Sequence, residues 1–285
     1  SDREVINKII KKKKFSFFNK NNQDSILQKL LSDNNLNYSG ASINTKTIEK
    51  NNLFFAIKGK NTDGHKFAVE AIKKGATKLI LNKKIKKISK KKFIKVKNIF
   101  LSLNNLAKSL RVNSKAKIIG ITGSAGKTTL KNLTGFILKN YGNTVQSPHS
   151  YNNRLGVPLS LCSLKNNTDY GVFELGMDKK GEIDKLSKII KPEIGVITNI
   201  SGAHFKNFKT LKDIAKAKGE IIDNIVENGK IILNKDDKFF TFLSNIAKKK
   251  QVEIFSFSSK KKADVYLLGI NKIKNYYKLK INVRG

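Results

Sequence analysis

The sequence predicts an α/β protein, with a small N-terminal α/β domain before a central P-loop domain whose mostly parallel sheet is covered by helices. Its 285 residues, 39% of them hydrophobic, are enough for one large or two medium domains with real cores. A glycine-rich loop between a strand and a helix, followed by regular strand–helix alternation, indicates the central domain. We expect a lead-in segment at 1–24, the N-terminal domain at 25–112 and the central domain at 113–285.

The N-terminal domain is predicted from short apolar runs separated by turn residues. Apolar residues at helical spacing within 26–31 indicate a first helix, which ends at the polar stretch SDNN. Strands are predicted at 53–57, 78–81 and 93–96, and helices at 66–74 and 101–110. Gly75 follows the earlier of these two helices, where glycine is a common C-terminal cap residue.

The central domain alternates strands with helices. Strands are predicted at 117–121, 170–175, 194–200 and 230–233, and helices at 128–139, 182–190 and 211–226. This alternation favours parallel strands joined by helical crossovers. Three further strands are predicted at 252–257, 265–270 and 276–283. No closing helix follows them, so we expect the sequence to belong to a longer protein.

The formal net charge of +37 is typical of proteins that bind nucleic acids or membrane surfaces, but the composition argues against both. Only four of the 58 basic residues are arginine, the usual residue for recognising bases and phosphates. The lysines are scattered, which indicates solvated surfaces. The single cysteine, Cys162, excludes an internal disulfide, and no apolar run approaches the roughly 20 residues of a membrane helix. We expect a cytoplasmic protein without membrane insertion or a nucleic-acid partner.

The strongest motif is IIGITGSAGKTTLKN at 118–132. Its small residues allow backbone N–H groups to close around phosphate oxygens at a helix N-terminus, where the helix dipole also favours anions. Lys127 would reach the outer phosphates, and the Thr128 hydroxyl would bind Mg²⁺. Ile121 stands where the general pattern has its first glycine, so the loop is a shortened variant. The predicted nucleotide site consists of Gly123, Ser124, Ala125, Gly126, Lys127, Thr128 and Thr129.

Two residues at the same predicted sheet edge are candidate Mg²⁺ ligands or water-ordering groups. Glu174 lies in the strand YGVFEL, and His204 follows the strand at 194–200. Ligands gather at the carboxyl ends of strands in open α/β sheets, and a carboxylate suits Mg²⁺. The alternatives are a surface glutamate at a strand end and a structural histidine.

The stretch NKDD follows the strand at 230–233 and reaches the same edge. Asn234 is a candidate for pairing with an adenine edge, and Asp236 or Asp237 for binding the ribose. Asn and Asp also begin ordinary turns after strands, so spacing alone leaves both interpretations open.

Lys218 lies in the middle of the apolar face of the helix predicted at 211–226. A helical wheel places on its side Leu211, Ile214, Ala215, Ile221, Ile222 and Ile225. Lys216 points roughly 160° away, towards solvent. A buried ammonium group is costly, and its pKa falls. Lys218 either extends past its neighbours to water or turns towards the nucleotide site, where a neutral amine could react with CO₂ to give an anionic carbamate.

The segment SPHSYNNRLGVPLSL at 147–161 is a polar loop that leads into a helix, with Pro158 at a plausible first helical position. A polar, anionic substrate could bind to Ser150, Asn152, Asn153 and Arg154. The alternative is an ordinary capped loop.

These segments together resemble the Mur ligase family, the ATP-dependent enzymes that add amino acids to the UDP-linked precursor of peptidoglycan. The resemblance rests on ITGSAGKTT, YNNRLGVPLSL, FELGMDKKGEI, PEIGVITNISGAHFKNF, IAKAKGEI, ILNKDD and, in the N-terminal part, LFFAIKGKNTDGHKFA. It implies a catalytic role for Lys127 and Mg²⁺ ligands at Thr128, Glu174, His204 and a carbamylated Lys218. It also implies an adenine contact at Asn234. The uridine-nucleotide domain would use Thr45 and Lys46, although NTK stands where relatives often have Asp-Ser/Thr-Arg.

Within the family, the motifs favour the members that join D-alanyl-D-alanine to UDP-MurNAc-tripeptide through an acyl phosphate, using ATP and Mg²⁺. The alternatives are a member that adds a single amino acid, a folylpolyglutamate-type ligase, and a basic P-loop ATPase that binds nucleic acid. We expect a monomer. The family's C-terminal Rossmann-like domain is absent from this sequence, so we expect the isolated chain to be weakly active or inactive. The opening SDREV resembles the tail of the members that add a single amino acid, which suggests a fragment or a fusion.

Overall fold

The computed structural model describes residues 38–59, 61–202 and 207–284. The lead-in segment, the helical pattern within 26–31 and His204 lie outside these residues. Within them the chain forms two sheets of four and eight strands with helices packed against them. The predicted α/β class with a mostly parallel sheet is confirmed.

The first sheet has four parallel strands in the order β1-β2-β3-β4. They are β1 (Gly40–Ser42), β2 (Asn52–Phe55), β3 (Lys78–Leu81) and β4 (Phe93–Lys95). Helix α1 (Ala68–Lys73) follows a 3₁₀ turn, and Gly75 after it has a φ of +106°. Helix α2 (Ile99–Asn113) then leads to the second sheet.

The second sheet has the order β12-β11-β10-β9-β8-β5-β7-β6, and all its neighbours are parallel except β11 and β12. Its strands are β5 (Lys117–Thr122), β6 (Thr144–Gln146), β7 (Tyr170–Glu174), β8 (Ile194–Ile197), β9 (Lys230–Asn234), β10 (Glu253–Ser258), β11 (Val265–Ile273) and β12 (Tyr276–Val283). The helices are α3 (Lys127–Leu138), α4 (Gly156–Leu161), α5 (Glu182–Ile190), α6 (Leu211–Gly219) and α7 (Phe240–Lys249).

Several elements differ from the sequence prediction. Helix α6 ends at Gly219, and a 3₁₀ turn, Ile222–Asn224, replaces the rest of the helix predicted to run to residue 226. Strands β1 and β6 have three residues each, too few to show a periodic pattern. Pro158 is the third residue of α4 rather than its first, and α7 was not predicted.

Arg111 connects α2 to the end of α5 and to the residues before β8. The guanidinium donates from Nε to the Ile190 carbonyl at 2.5 Å and from Nη2 to the Lys191 carbonyl and Glu193 Oε1, both at 2.7 Å. The other carboxylate oxygen of Glu193 accepts from the Ile118 N–H at 2.6 Å, which connects the network to β5. The ion pair between Glu193 and the buried Arg111 thus connects α2, which follows the four-stranded sheet, to β5, which leads into the P-loop.

Candidate nucleotide-binding and ligase site

The candidate site lies at the carboxyl edge of the central strands. Strands β9, β8, β5 and β7 are neighbours, so their carboxyl ends meet at one edge. Thr122 ends β5, Glu174 ends β7 and Asn234 ends β9. The fold therefore brings together segments that are more than a hundred residues apart in the sequence.

The P-loop is shaped by two glycines with positive φ. Gly123 has a φ of +144°, and Gly126, with +80°, caps the N-terminus of α3. The loop is held from β8: the Ser124 and Ala125 N–H groups donate to the main-chain and side-chain oxygens of Asn199 at 2.9 and 3.0 Å. The Thr198 hydroxyl donates to the Ala125 carbonyl at 2.6 Å. Positive φ at the glycines and the dipole of α3 make this loop suitable for binding an anion.

Two lysines converge on one carbonyl of the P-loop. Lys127 Nζ and Lys218 Nζ donate to the Gly123 oxygen at 2.8 and 2.9 Å. Lys218 is 1% exposed, whereas Lys216 is exposed, as the helical wheel predicts. Burial, and then the charge of Lys127, lower the pKa of Lys218 to about 7. The alternative in which Lys218 reaches water is therefore wrong.

Glu174 is a buried carboxylate at the centre of a short polar chain. It is 1% exposed, and its Oε2 accepts from the Thr128 hydroxyl at 2.7 Å, while Oε1 accepts from Asn152 Nδ2 at 2.8 Å. It is therefore not the surface glutamate that the sequence left open. A carboxylate and a hydroxyl oxygen are ligands that Mg²⁺ prefers, so Glu174 and Thr128 fit such an ion. Among the described residues, no three His, Cys, Asp or Glu side chains form a metal-binding cluster.

A cavity of about 490 Å³ opens beside the P-loop, and we call it the first cavity. It is bounded by the P-loop lysine, by the loop before α4, by the segment that follows β7 and by Lys218. Its lining residues are Lys127, Asn152, Asn153, Arg154, Leu155, Gly176, Met177, Asp178, Glu182, Lys185, Leu186 and Lys218. The structure thus brings three of the four predicted substrate residues of the 147–161 segment to the P-loop.

A second cavity, of about 470 Å³, lies between the first sheet and the same loop. Its lining residues are Ser39, Gly40, Ala41, Lys46, Thr47, Ile48, Glu49, Asn52, Gln146, Pro148, His149, Tyr151 and Ser163. The predicted residue Lys46 lines it, whereas Thr45 is buried and lines neither cavity. Ser150 is exposed and also lines neither cavity.

The residues after β9 have local partners. Asn234 donates to the Thr198 carbonyl at 3.3 Å and accepts from the Asp236 N–H at 3.0 Å. Both carboxylate oxygens of Asp236 accept hydrogen bonds from Ser258 or Ser259, at 2.6–2.9 Å. Asp237 binds the N–H groups of Ile200 and Phe239. The acids of NKDD thus hold loops together, so we leave Asp236 out of the proposed ribose contacts.

Sequence reasoning missed four residues that support the site. Thr198 and Asn199 hold the P-loop, and they lie near the end of the strand predicted at 194–200, at the functional edge, which was a usable signal. Glu220 accepts from the Gly181 and Asp184 N–H groups at the start of α5. Lys131 is buried, and no pattern in the sequence distinguishes it from the exposed lysines.

The shortened P-loop and the mostly parallel sheet with helices packed on it place the chain among the P-loop α/β proteins. The family described as Mur ligase middle domain matches residues 121–283, and the family described as Mur ligase catalytic domain matches residues 37–120. The chain belongs to the Mur ligase family.

Proteins similar to this chain include ligases named for D-alanyl-D-alanine and solved structures of MurF. The UDP-N-acetylmuramoyl-tripeptide–D-alanyl-D-alanine ligase of Rickettsia prowazekii is 39% identical over 236 residues, which are 82% of this chain and 52% of that protein. A crystal structure of MurF from Acinetobacter baumannii is 31% identical, with a TM-score of 0.72, over 85% of this chain and 52% of that one. MurF from Thermotoga maritima in complex with ADP is 28% identical, with a TM-score of 0.71, over 87% and 57%. The chain spans about half the length of these proteins.

Proposed function

We propose that the chain supplies the ATP site and the UDP-precursor site of a ligase that joins D-alanyl-D-alanine to UDP-MurNAc-tripeptide. The observation that carries the proposal is the shared contact of Lys127 and Lys218 with the Gly123 carbonyl, at the edge of the first cavity. The proposal puts these two amine side chains where an anionic acceptor and a phosphate chain would meet. The names of the relatives support the substrates, and the ADP complex of the Thermotoga maritima protein supports the nucleotide.

In the proposed reaction, the terminal carboxylate of the precursor attacks the γ-phosphorus of ATP, which gives an acyl phosphate and ADP. The amine of D-alanyl-D-alanine then attacks the acyl carbon and expels phosphate. The P-loop amides and Lys127 orient the phosphates and offset their charge, and most of the catalysis is positioning. Asn152, Asn153 and Arg154 bind the anionic arm of the precursor. Thr128 and Glu174 would hold a Mg²⁺ ion, which supplies further charge neutralisation when bound.

The precursor would lie across both cavities. Its UDP end would occupy the second cavity, beside Lys46, and its peptide carboxylate would enter the first cavity, beside Lys127. Both cavities are lined by residues of the loop 146–155, so one extended ligand would contact both faces of that loop. A cytoplasmic location, where ATP is available, belongs to the proposal. No helix of the described residues is long and apolar enough to cross a membrane.

We predict that Lys218 is carbamylated in the presence of bicarbonate. Its pKa of about 7 leaves much of the amine neutral at physiological pH, and the neutral nitrogen adds to the carbon of CO₂ with loss of a proton. In ¹³C NMR with ¹³C-bicarbonate, the unsubstituted chain and Lys216→Ala should both show a carbamate signal that Lys218→Ala lacks. A signal that persists in Lys218→Ala would place the carbamate elsewhere.

The substrate is tested by calorimetric titration of the chain with four ligands. We expect binding of UDP-MurNAc-tripeptide, weaker binding of UDP-MurNAc-dipeptide, which lacks the third residue, and no binding of a folate. A short RNA should bind only at low salt, because affinity carried by scattered lysines falls steeply with ionic strength. Tighter binding of the dipeptide would favour a ligase that adds a single amino acid. RNA binding that persists at physiological salt, without precursor binding, would favour the nucleic-acid ATPase.

A further inference from the structure

Lys131 is a second buried lysine at the site, and the reaction proposed above does not use it. It lies one helical turn after Lys127 on α3, and it is 1% exposed. Its Nζ donates to the carbonyl oxygens of Ser147 at 2.7 Å and His149 at 2.6 Å. A buried ammonium group is unfavourable unless it is paired, so these contacts account for its position.

The two carbonyls belong to a turn that needs support. Pro148 stands between them, and His149 has a φ of +45°, a left-handed conformation that is sterically unfavourable for a residue with a Cβ. Hydrogen bonds with a charged donor are among the strong ones in proteins. The hydrogen bonds from Lys131 therefore offset the steric cost of the left-handed main-chain conformation at His149.

The same loop separates the two cavities. Pro148, His149 and Tyr151 line the second cavity, whereas Asn152 and Arg154 line the first. Lys131 holds the beginning of the loop. Its middle is held by β7 and the residues after it, through Asn152 Nδ2 to Glu174 at 2.8 Å and the Gly176 N–H to the Asn152 carbonyl at 2.7 Å.

The hydrogen bonds that hold the P-loop come from residues other than Lys131. Thr198 and Asn199 hold the P-loop from the opposite side, and Lys131 lines neither cavity. Burial lowers the pKa of Lys131, and the nearby charge of Glu174 opposes this shift. The side chain thus touches no ligand, and its effect must pass through the loop.

We propose that Lys131 is a positioning residue that fixes the loop between the two cavities and so sets the affinity for the UDP-linked precursor rather than for the nucleotide. The inference rests on the proposed function, because it takes the precursor as the ligand that contacts both faces of the loop. It gives a residue of the P-loop helix an indirect role, through the loop, in the binding of the other substrate.

The test is calorimetric titration of the chain with MgADP and, separately, with UDP-MurNAc-tripeptide. Lys131→Met keeps the length of the side chain and removes the ammonium group. It should weaken precursor binding roughly tenfold or more, and change MgADP affinity by less than about threefold. Lys139→Met, an exposed lysine at the end of the same helix, is the control and should change neither affinity. Equal losses for both ligands, or no loss for either, would overturn the inference.

A second variant covers the case in which Lys131→Met does not fold. Pro148→Gly loosens the turn without altering a buried charge, because Pro148 is exposed. It should show a smaller loss in the same direction, and unchanged precursor affinity would contradict the inference. If the unsubstituted chain binds MgADP but no precursor, the proposed function fails and the inference fails with it. If it binds both and the variants match it, only the inference fails.

Hydrogen exchange gives a readout that needs no ligand. In Lys131→Met, the N–H groups of Tyr151 and Gly176 should exchange faster, since their acceptors, the Pro148 and Asn152 carbonyls, lie in the loop. The amides of β5 should keep their protection. Unchanged exchange of the Tyr151 and Gly176 amides would contradict the inference. So would faster exchange of the β5 amides as well, because the effect would then not be specific to the loop.

Discussion

Gly123→Ala should destabilise the chain by about 2–5 kcal/mol and remove nucleotide binding. Gly123 has a φ of +144°, and a Cβ there would lie 1.9 Å from Thr198 Oγ1 and 3.0 Å from the Thr198 main-chain nitrogen. The hydroxyl could rotate away, but then it loses its hydrogen bond to Ala125, and the main-chain contact remains. Both the P-loop and its support on β8 would have to move. Urea unfolding and MgADP titration measure the two effects.

The matched control for this prediction is Gly181→Ala. Gly181 also has a positive φ, of +83°, but nothing lies within 4 Å of a Cβ at this position. Gly181→Ala should therefore lower the free energy of unfolding only by the left-handed strain, about 1–2 kcal/mol. The N–H of residue 181 should still donate to Glu220. If Gly123→Ala is no more destabilising than Gly181→Ala, the close approach of Thr198 does not constrain the loop.

Lys218→Met should make the chain more stable at pH 6, by about 4 kcal/mol, and the difference should vanish near pH 10. Burial and Lys127 lower the pKa of Lys218 from 10.5 to about 7. Between these values the unfolded chain binds a proton that the folded chain has released, so the free energy of unfolding of the unsubstituted chain rises with pH. Below about pH 7 the folded unsubstituted chain contains the charged ammonium group, and its burial lowers the free energy of unfolding by the full amount. Methionine carries no charge, so the variant avoids this loss. The lost hydrogen bond to Gly123 offsets about 1 kcal/mol of the gain.

The measurement is urea unfolding from pH 6 to 10 in CO₂-free buffer, so that the carbamate does not form. The buried Lys131 and the half-buried Lys165, whose pKa values are also lowered, remain in the variant, and their effects cancel in the difference. Lys216→Met, an exposed neighbour on the same helix, should give a difference near zero at every pH. A Lys218→Met difference that is constant with pH would show that the folded amine keeps its ordinary pKa.

Structural features that depend on a repeated or periodic pattern could be predicted from the sequence. The strand–helix alternation predicts the parallel sheet, and the 3.6-residue period predicts that Lys218 is buried and Lys216 exposed. Strands at 78–81 and 276–283 and the helix at 182–190 have the predicted bounds. These features depend on local pattern, which a single sequence contains.

Long-range contacts account for what the sequence could not predict. In the sequence Lys131 looks like a surface lysine, but the fold brings to it the carbonyls of Ser147 and His149, both in the loop after β6. Helix α6 ends early although its apolar pattern continues, and Glu220 just beyond its last residue binds the start of α5. Asp236 resembles a ribose ligand in sequence, but two serines at the end of β10 and just after it occupy its carboxylate. The roles assigned to the other candidate site residues stay predictions.

We propose that the edge formed by the P-loop, Lys127 and Lys218 is a nucleotide site. Calorimetric titration with MgADP is the decisive measurement. The unsubstituted chain and the exposed-lysine variant Lys139→Met should each bind one MgADP, whereas Lys127→Met should bind it at least roughly tenfold more weakly, since a charge-assisted contact to phosphate is lost. Absence of MgADP binding by the unsubstituted chain, or equal affinity in Lys127→Met, would show that this edge is not the nucleotide site.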